Sequence, residues 1–294
     1  LMGVLTNVTQ DHFDYHKTFE AYRKAKAKLF KNLKYAVLNK DDNSFDYFKN
    51  TLRHNTNLAS YALNPGGTFV AKNIRINSAS MEFTTVSYGK VYKIKTSLIG
   101  KYNASNILAS IAAVRFVEVE WKDILRALKN FKGVEGRMDI VPSKKNFTTI
   151  VDFAHTPNSL ESVLATLRGV LPKGGRIICV FGCASERDEE KRPLMGAISV
   201  KLADVSIITA EDPRCEDPNK IIEEIAEGAS KINSAHELLR EPDRRKAIKL
   251  AVSIAKKGDI IVICGKGHEK SMNINGKELP WSDRNEARRA LSRP

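Results

Sequence analysis

Polar and charged groups end four apolar runs in the second half of this 294-residue chain. The runs lie at 148–155, 176–182, 205–213 and 259–267, and each is typical of a buried parallel strand. The groups at their ends are Asp152 with His155, Gly182 to Asp188, Glu211 to Arg214, and Gly265 to Glu269. Carboxyl ends of parallel strands meet at one edge of a sheet, so these groups predict a binding crevice there. Turn formation would explain any one group alone, but a shared site explains all four.

A lysine in the first half falls on the apolar face of a predicted helix that begins near Thr18, a favourable N-cap residue. The apolar positions that share its face are Phe19, Tyr22, Leu29 and Phe30. Lys26 could pack its stem there while its head reaches solvent, or it could be a buried catalytic or metal-site lysine.

Two asparagines lie three residues apart at the start of an alanine-rich helix predicted over 104–116. Asn103 and Asn106 therefore share one helix face. Helix capping accounts for either asparagine alone, whereas the pair could grip the amide-like edge of an adenine.

The elements that position these residues change character near 131–139, where two glycines interrupt the helical pattern. Before this point we expect strands at 1–10 and 34–40 and a hairpin within 68–99 that turns near Gly89. After it, strands and helices alternate, which predicts a doubly wound α/β domain. The predicted domains are 1–135 and 136–294.

Composition narrows the function classes. The net charge of +14 is spread over helices and loops without interleaved aromatics or a nucleic-acid motif, so no nucleic-acid partner is predicted. No apolar run is long enough for a membrane span. Four cysteines without CxxC spacing favour reduced thiols in a cytoplasmic protein.

The chain resembles the Mur ligases, the ATP-dependent amide-forming enzymes of peptidoglycan synthesis. The motifs that carry the resemblance are TNVTQDHFDYH with AKAKLF, LIGKYNASNILA, GVEGRMD, VDFAHTPNSL, FGCASERDEEKRP, EDPRCEDP and GKGHE. They follow the order of the family and span nearly the whole chain. They look most like the branch that adds the third amino acid to UDP-N-acetylmuramoyl-L-alanyl-D-glutamate.

The resemblance implies ATP and Mg²⁺ as cofactors and gives roles to matching residues. Lys26 matches a carbamylated lysine, and both Lys26 and His12 match magnesium ligands with catalytic roles. The residues implied to contact ATP are Asn103, Asn106, Arg137, Asp152 and His155. The residues implied to bind the incoming amino acid are Arg187, Glu211, Asp212, Pro213, Arg214, Gly265 and Glu269.

Two departures from the family pattern concern the acceptor amino acid. The usual DNPR is EDPR here, and the usual GCGGDRD is GCASERD. Arg187 and Arg214 remain, which favours meso-diaminopimelate, because arginine makes two-pronged contacts to a carboxylate. The added carboxylate of Asp212 could instead favour L-lysine.

A third departure is that no G-x-x-x-x-G-K-[ST] phosphate loop occurs in the sequence. By resemblance, that loop, the UDP-sugar domain and a magnesium-binding glutamate would precede Leu1. We therefore expect a partial central ATPase domain followed by a complete Rossmann-like C-terminal domain, a fragment inactive in ligation on its own. The alternatives are a short Mur-like protein that binds nucleotide or amino acid without ligating, and a related ligase with another acceptor.

Overall fold

The computed structural model describes residues 1–9, 16–77, 80–186, 188–232 and 236–292. The chain divides into two compact units, Leu1–Lys132 and Gly133–Pro294. Each unit has its own main sheet, with a hydrophobic core on each face of it.

The first unit is built on a four-stranded parallel sheet with the strand order β1-β2-β3-β4. These strands are Met2–Leu5, Tyr35–Asn39, Asn57–Ala62 and Phe69–Val70. A three-stranded antiparallel sheet follows, made of β5 (Lys72–Ile76), β6 (Met81–Ser87) and β7 (Lys90–Thr96). The helices are α1 (Phe19–Ala27), α2 (Phe45–Thr51), α3 (Lys101–Arg115) and α4 (Trp121–Asn130).

Helices cover both faces of the parallel sheet in this unit. Ala104 and Leu108 of α3 share a core with Val37 of β2 and with the antiparallel sheet. Leu38, the next residue of β2, belongs to the opposite core, where Phe48 of α2 packs. The alternation follows from strand geometry, since successive side chains of a strand point to opposite faces.

The predicted hairpin is confirmed, and its turn has the expected chemistry. Tyr88 and Gly89 both have positive φ, 47° and 75°, between the paired strands β6 and β7. Positive φ at both central positions is the geometry of a tight turn whose twist matches that of the strands.

The predicted start of α1 is also confirmed, because the Thr18 hydroxyl accepts a hydrogen bond from the Ala21 N–H at 3.1 Å. The expected burial of Leu29 is wrong, since its side chain is 58% exposed. Helix α1 ends at Ala27, and Lys28–Phe30 forms a tighter 3₁₀ turn. With fewer residues per turn, that segment leaves the α-helical register, so Leu29 faces solvent while Phe30 stays buried.

The second unit carries a six-stranded sheet with the order β12-β11-β10-β13-β9-β8. These strands are β8 (Asp139–Ile140), β9 (Thr148–Asp152), β10 (Ile177–Phe181), β11 (Val205–Ile208), β12 (Glu237–Arg240) and β13 (Ile260–Cys264). Only the pairing of β8 with β9 is antiparallel among them. A two-stranded hairpin, β14 (Ser271–Ile274) and β15 (Lys277–Pro280), follows β13.

Helices lie on both faces of this second sheet, which confirms the doubly wound α/β prediction. They are α5 (Pro157–Val170), α6 (Lys191–Leu202), α7 (Pro218–Ser230), α8 (Arg244–Ile254) and α9 (Asp283–Leu291). Leu164 of α5 and Ile225 of α7 share one core, whereas Ile248 of α8 and Ala287 of α9 belong to the other. The central strand β13 is buried at every position because both of its faces are covered.

Candidate functional site

Lys26 lies in the last turn of α1, on the side that carries Tyr22. Its side chain is half-buried, and its Nζ is 4.7 Å from the centroid of the Tyr22 ring. Within the described ranges its ammonium group makes no ion pair, so a cation–π contact holds it. His12, the other residue implied to bind magnesium, lies outside the described residues.

Asn103 and Asn106 lie in the first two turns of α3, which begins at Lys101, slightly earlier than predicted. The Asn103 Nδ2 donates to the Ile99 carbonyl at 2.8 Å, which fixes this side chain against the preceding loop. Asn106 is exposed. One asparagine therefore has a local structural contact, and the other presents its amide to solvent.

In the second unit, Asp152 ends β9 at the carboxyl edge of the sheet. It is 6% exposed, and its carboxylate accepts hydrogen bonds from the backbone N–H groups of Met138 at 2.7 Å and Ala154 at 2.9 Å. Burial raises the pKa of this carboxyl, although both N–H donors and the positive charge of Arg137 oppose that shift. Asp152 therefore ties the GRMD segment to the end of β9.

An aromatic cluster lies at the same edge and involves three of the predicted motifs. The Arg137 guanidinium stacks 4.4 Å from the centroid of Phe153, whose ring also contacts His155 at 4.6 Å and His268 at 5.0 Å between centroids. The GRMD and GKGHE segments touch directly, since a Cβ atom built at Gly136 would lie 2.2 Å from the backbone nitrogen of His268. The structure thus brings the Arg137, Asp152 and His155 segments together.

Glu211 is the most unusual carboxyl group of this edge. It follows β11, is 6% exposed, and its Oε2 makes no hydrogen bond within the described residues. Burial raises its pKa to about 7, although the charges of Lys191, Arg244 and Lys266 pull in the opposite direction. Gly265, with φ of +114°, leaves room for it, because a Cβ there would lie 2.5 Å from Oε2.

Asp212 and Glu269 share one buried ammonium group. The Lys266 Nζ lies 2.8 Å from Asp212 Oδ1 and 2.5 Å from Glu269 Oε2, and Lys266 is only 2% exposed. Burial by itself would lower the pKa of Lys266, but the two carboxylates outweigh burial and raise it. The predicted Asp212 and Glu269 positions therefore lie side by side, joined by a lysine.

Arg214 completes the EDPR segment with a left-handed backbone, at φ of 46°. Its Nη1 lies 3.4 Å from Glu186 Oε2, and its backbone pairs with the β14 strand. Pro213 before it is buried. Arg187, the second predicted carboxylate reader, lies outside the described residues.

Four buried cations of this edge had no role predicted from the sequence: Lys191, Arg192, Arg244 and Lys266. Lys191 and Arg192 open helix α6 and are 7% and 0% exposed. The Lys191 Nζ donates to the His155 carbonyl at 2.9 Å. Arg244 donates to Asp283 and to the carbonyls of Ala210 and Cys264, which follow or end β11 and β13. Their position within the FGCASERDEEKRP and GKGHE motifs was the only available signal for Lys191 and Lys266, and no sequence pattern marked Arg244.

Within the described ranges, no three His, Cys, Asp or Glu side chains come together as a metal-binding group. No helix in those ranges is both long enough and apolar enough to cross a bilayer.

Comparison with known proteins matches both halves of the chain to one family. Residues 1–114 match the Mur ligase middle domain, and residues 136–267 match the Mur ligase, glutamate ligase domain. A UDP-N-acetylmuramoyl-L-alanyl-D-glutamate–2,6-diaminopimelate ligase of Bacillus cereus is 40% identical over 99% of this chain and 60% of its own length. The ligase of the same name from Clostridium tetani is 40% identical over 96% of this chain and 57% of its own length.

Solved structures agree with the sequence matches. One described as UDP-N-acetylmuramoyl-L-alanyl-D-glutamate–2,6-diaminopimelate ligase has a TM-score of 0.63 and 33% identity, and covers 99% of this chain and 60% of its own. MurF ligase from Thermotoga maritima in complex with ADP has a TM-score of 0.72 at 19% identity, over 99% of this chain and 61% of its own, a likeness of fold. This chain thus spans about three fifths of the length of these relatives. The chain belongs to the Mur ligase family, and its two halves match the middle domain and the glutamate ligase domain of that family.

Proposed function

We propose that this chain is part of a cytoplasmic ATP-dependent ligase that adds meso-diaminopimelate to UDP-N-acetylmuramoyl-L-alanyl-D-glutamate. The observation that carries the proposal is the assembly at one edge of the second sheet. There the EDPR and GKGHE segments supply two carboxylates, an arginine and a shared lysine. Relatives that match this chain over nearly its whole length are named for that reaction.

The first unit contributes the asparagines to nucleotide binding in this proposal. Asn103 is held by the Ile99 carbonyl, and Asn106 is exposed, so the pair offers one fixed and one accessible amide. In the second unit Arg137 offers a cation held over Phe153, and His155 lies beside it. Asp152 fixes the segment that carries Arg137, since its carboxylate holds the Met138 N–H.

The acceptor would bind at the EDPR edge. Among the described residues the Arg214 guanidinium has one partner, Glu186 Oε2 at 3.4 Å, so it can turn to a carboxylate of the acceptor. Glu269, 40% exposed at its side chain, can receive an ammonium group. Glu211 is a buried carboxyl with a pKa near 7, suited to taking the proton that the acceptor amine loses.

In the proposed reaction, the γ-carboxylate of D-glutamate attacks the γ-phosphorus of ATP and releases ADP, which gives an acyl phosphate. The neutral amine of the acceptor then attacks the acyl carbon, phosphate leaves, and one proton is lost. This chain supplies the acceptor pocket and nucleotide contacts. Catalysis of phosphoryl transfer consists mainly of positioning the reactants and neutralising the charge of the transferred phosphoryl group.

Magnesium would neutralise phosphate charge when bound, and Lys26 with His12 are the residues we propose for it. Lys26 fits because it is half-buried and free of an ion pair among the described residues. Carbamylation there would convert an ammonium into a carboxylate, which is a ligand type that Mg²⁺ prefers.

Calorimetric titration of the 294-residue chain with meso-diaminopimelate and L-lysine tests the acceptor assignment. We expect saturable binding of meso-diaminopimelate and weaker binding of lysine, because lysine lacks the distal carboxylate. Arg214→Gln should reduce binding of the former selectively. Tighter binding of lysine, or no binding of either amino acid, would contradict the proposal.

A further inference from the structure

Arg192 is a fully buried cation whose guanidinium is neutralised by two glutamates. It is the second residue of α6 and is 0% exposed. Its Nη1 and Nη2 donate to the two carboxylate oxygens of Glu216, each at 2.9 Å, and Nη1 also donates to Glu224 at 2.5 Å. Because the guanidinium is planar and its paired hydrogen bonds are charge-assisted, they fix the direction of the Glu216 carboxylate as well as its distance.

Helix α6 is a firm support for this ion pair, because it packs closely against α7. A Cβ at Gly228 of α7 would collide with the backbone of Pro193, the residue after Arg192. Glu224 also lies on α7, so its bond to Arg192 joins the two helices. Glu216 lies outside both helices, so its bond to Arg192 instead anchors the loop between β11 and α7.

Glu216 ends the turn at 213–216, which contains Arg214. The Glu216 N–H donates to the Pro213 carbonyl at 2.9 Å and closes this turn. Within it, Arg214 has φ of 46°, a left-handed conformation that a residue with a side chain keeps only where the surrounding structure holds it. One such contact is the hydrogen bond from the Arg214 N–H to the Asn273 carbonyl, at 3.1 Å. The Arg192–Glu216 ion pair is another, because it fixes the residue at which the turn ends.

We propose that Arg192 is a positioning residue for acceptor binding, since it holds Glu216 and, with it, the turn that presents Arg214. The inference rests on the proposed function, in which the Arg214 guanidinium binds a carboxylate of the acceptor. Arg192 is fully buried and both Glu216 carboxylate oxygens are bound to it, so neither residue contacts the acceptor.

Loss of the ion pair therefore weakens only the contact that Arg214 makes. meso-Diaminopimelate has a distal carboxylate for that contact and lysine lacks it. The buried Arg192–Glu216 pair thus contributes to the choice between the two amino acids without touching either of them.

The test is calorimetric titration of the 294-residue chain with meso-diaminopimelate and L-lysine, with Glu216→Gln and Glu224→Gln as a matched pair of variants. Each removes one carboxylate charge from the same Arg192 guanidinium, and Lys220 lies 3.5 Å from Glu216 and 3.7 Å from Glu224. The two substitutions should therefore lower stability similarly, but only Glu216 belongs to the turn of Arg214. Urea unfolding shows whether each variant is folded. If Glu216→Gln is not, Arg192→Lys replaces it, because lysine keeps the charge without the two-pronged geometry.

We expect Glu216→Gln to weaken meso-diaminopimelate binding by about tenfold, the order expected for a weakened charge-assisted hydrogen bond, and to change lysine binding by less than about twofold. Glu224→Gln should leave binding of both amino acids unchanged. In the Arg214→Gln background, Glu216→Gln should cause no further loss, because it acts only through that arginine. A merely structural ion pair would give the two glutamine variants the same effect and would leave selectivity unchanged.

Four results would overturn the inference while leaving the proposed function intact. They are an unchanged affinity for meso-diaminopimelate in Glu216→Gln, an equal loss for lysine, an equal loss in Glu224→Gln, and a full further loss in the Arg214→Gln background. If the wild-type chain binds neither amino acid, or if Arg214→Gln binds meso-diaminopimelate as wild type does, the proposed role of Arg214 is refuted and this inference falls with it.

Discussion

Replacing Glu211 by glutamine should stabilise the protein at neutral and alkaline pH. Glu211 is buried, lacks a hydrogen bond to Oε2 among the described residues, and has a pKa raised to about 7 from the usual 4.5. Because one pKa unit corresponds to about 1.4 kcal/mol, keeping this group ionised costs the folded state about 3 kcal/mol. Glutamine has the same shape and no charge to bury.

The sign of the pH dependence follows from linkage. The folded protein holds the Glu211 proton more tightly than the unfolded chain does, so the carboxyl group destabilises the fold progressively as pH rises from 4.5 through 7. Below pH 4.5 the group is protonated in both states and the penalty is absent. The stability difference between Glu211→Gln and wild type should therefore grow by about 3 kcal/mol between pH 4 and pH 8.

Urea unfolding at intervals over this pH range measures the difference directly. Trp281 reports on the second unit, and Trp121→Phe removes the signal of the first. Glu227→Gln gives the contribution of an exposed glutamate. A difference between Glu211→Gln and wild type that stays constant with pH would refute the account of this carboxyl group.

Three further changes have defined outcomes. Arg244→Met should lower the free energy of unfolding, measured in urea, by about 4 kcal/mol, because it leaves the fully buried Asp283 without its ion pair. The double variant Arg244→Met/Asp283→Leu should recover part of that loss. A loss below about 1 kcal/mol in Arg244→Met would contradict the buried pair. Gly265→Ala should destabilise the protein and weaken acceptor binding, because its Cβ would lie 2.5 Å from the buried Glu211 carboxylate. Gly169→Ala, in open space on α5, should instead stabilise the protein by about 1 kcal/mol. Equal effects of the two substitutions would refute the steric argument. Lys26→Ala should abolish ligation by the complete reading frame that encodes this sequence, and a short-chain carboxylate should restore it, because alanine leaves space for the added carboxylate. Activity without the added carboxylate would refute the role of Lys26.

Much of the fold could be predicted from hydrophobic patterning. The runs that end at Asp152, Gly182, Glu211 and Gly265 are buried on both faces, so their apolar character is continuous and hard to mistake. Their convergence at one edge followed from parallel pairing alone. The exact end of helix α1 could not be predicted from this patterning. Leu29 is exposed because a 3₁₀ turn replaces the last helical turn.

Charged residues of the candidate site could be predicted where they belong to a motif. Their partners could not be predicted where the contact depends on how deeply a side chain is buried. Asp212 could be identified as a departure, but its pairing with Lys266 depends on the depth of the lysine, which no pattern reveals. Arg244 lies far in sequence from the strand ends that it joins. Such long-range partners are set by tertiary packing, which the local sequence does not encode.

Ligation by the complete reading frame that contains this sequence tests the proposed function without intermediate assumptions. UDP-N-acetylmuramoyl-L-alanyl-D-glutamate and ATP are supplied with meso-diaminopimelate or L-lysine in parallel reactions. The mass of the UDP-linked product is measured by mass spectrometry. We expect a tripeptide product and ADP with meso-diaminopimelate, at a higher kcat/KM than with lysine. Preferential use of lysine, or no product with either, would contradict the proposed function.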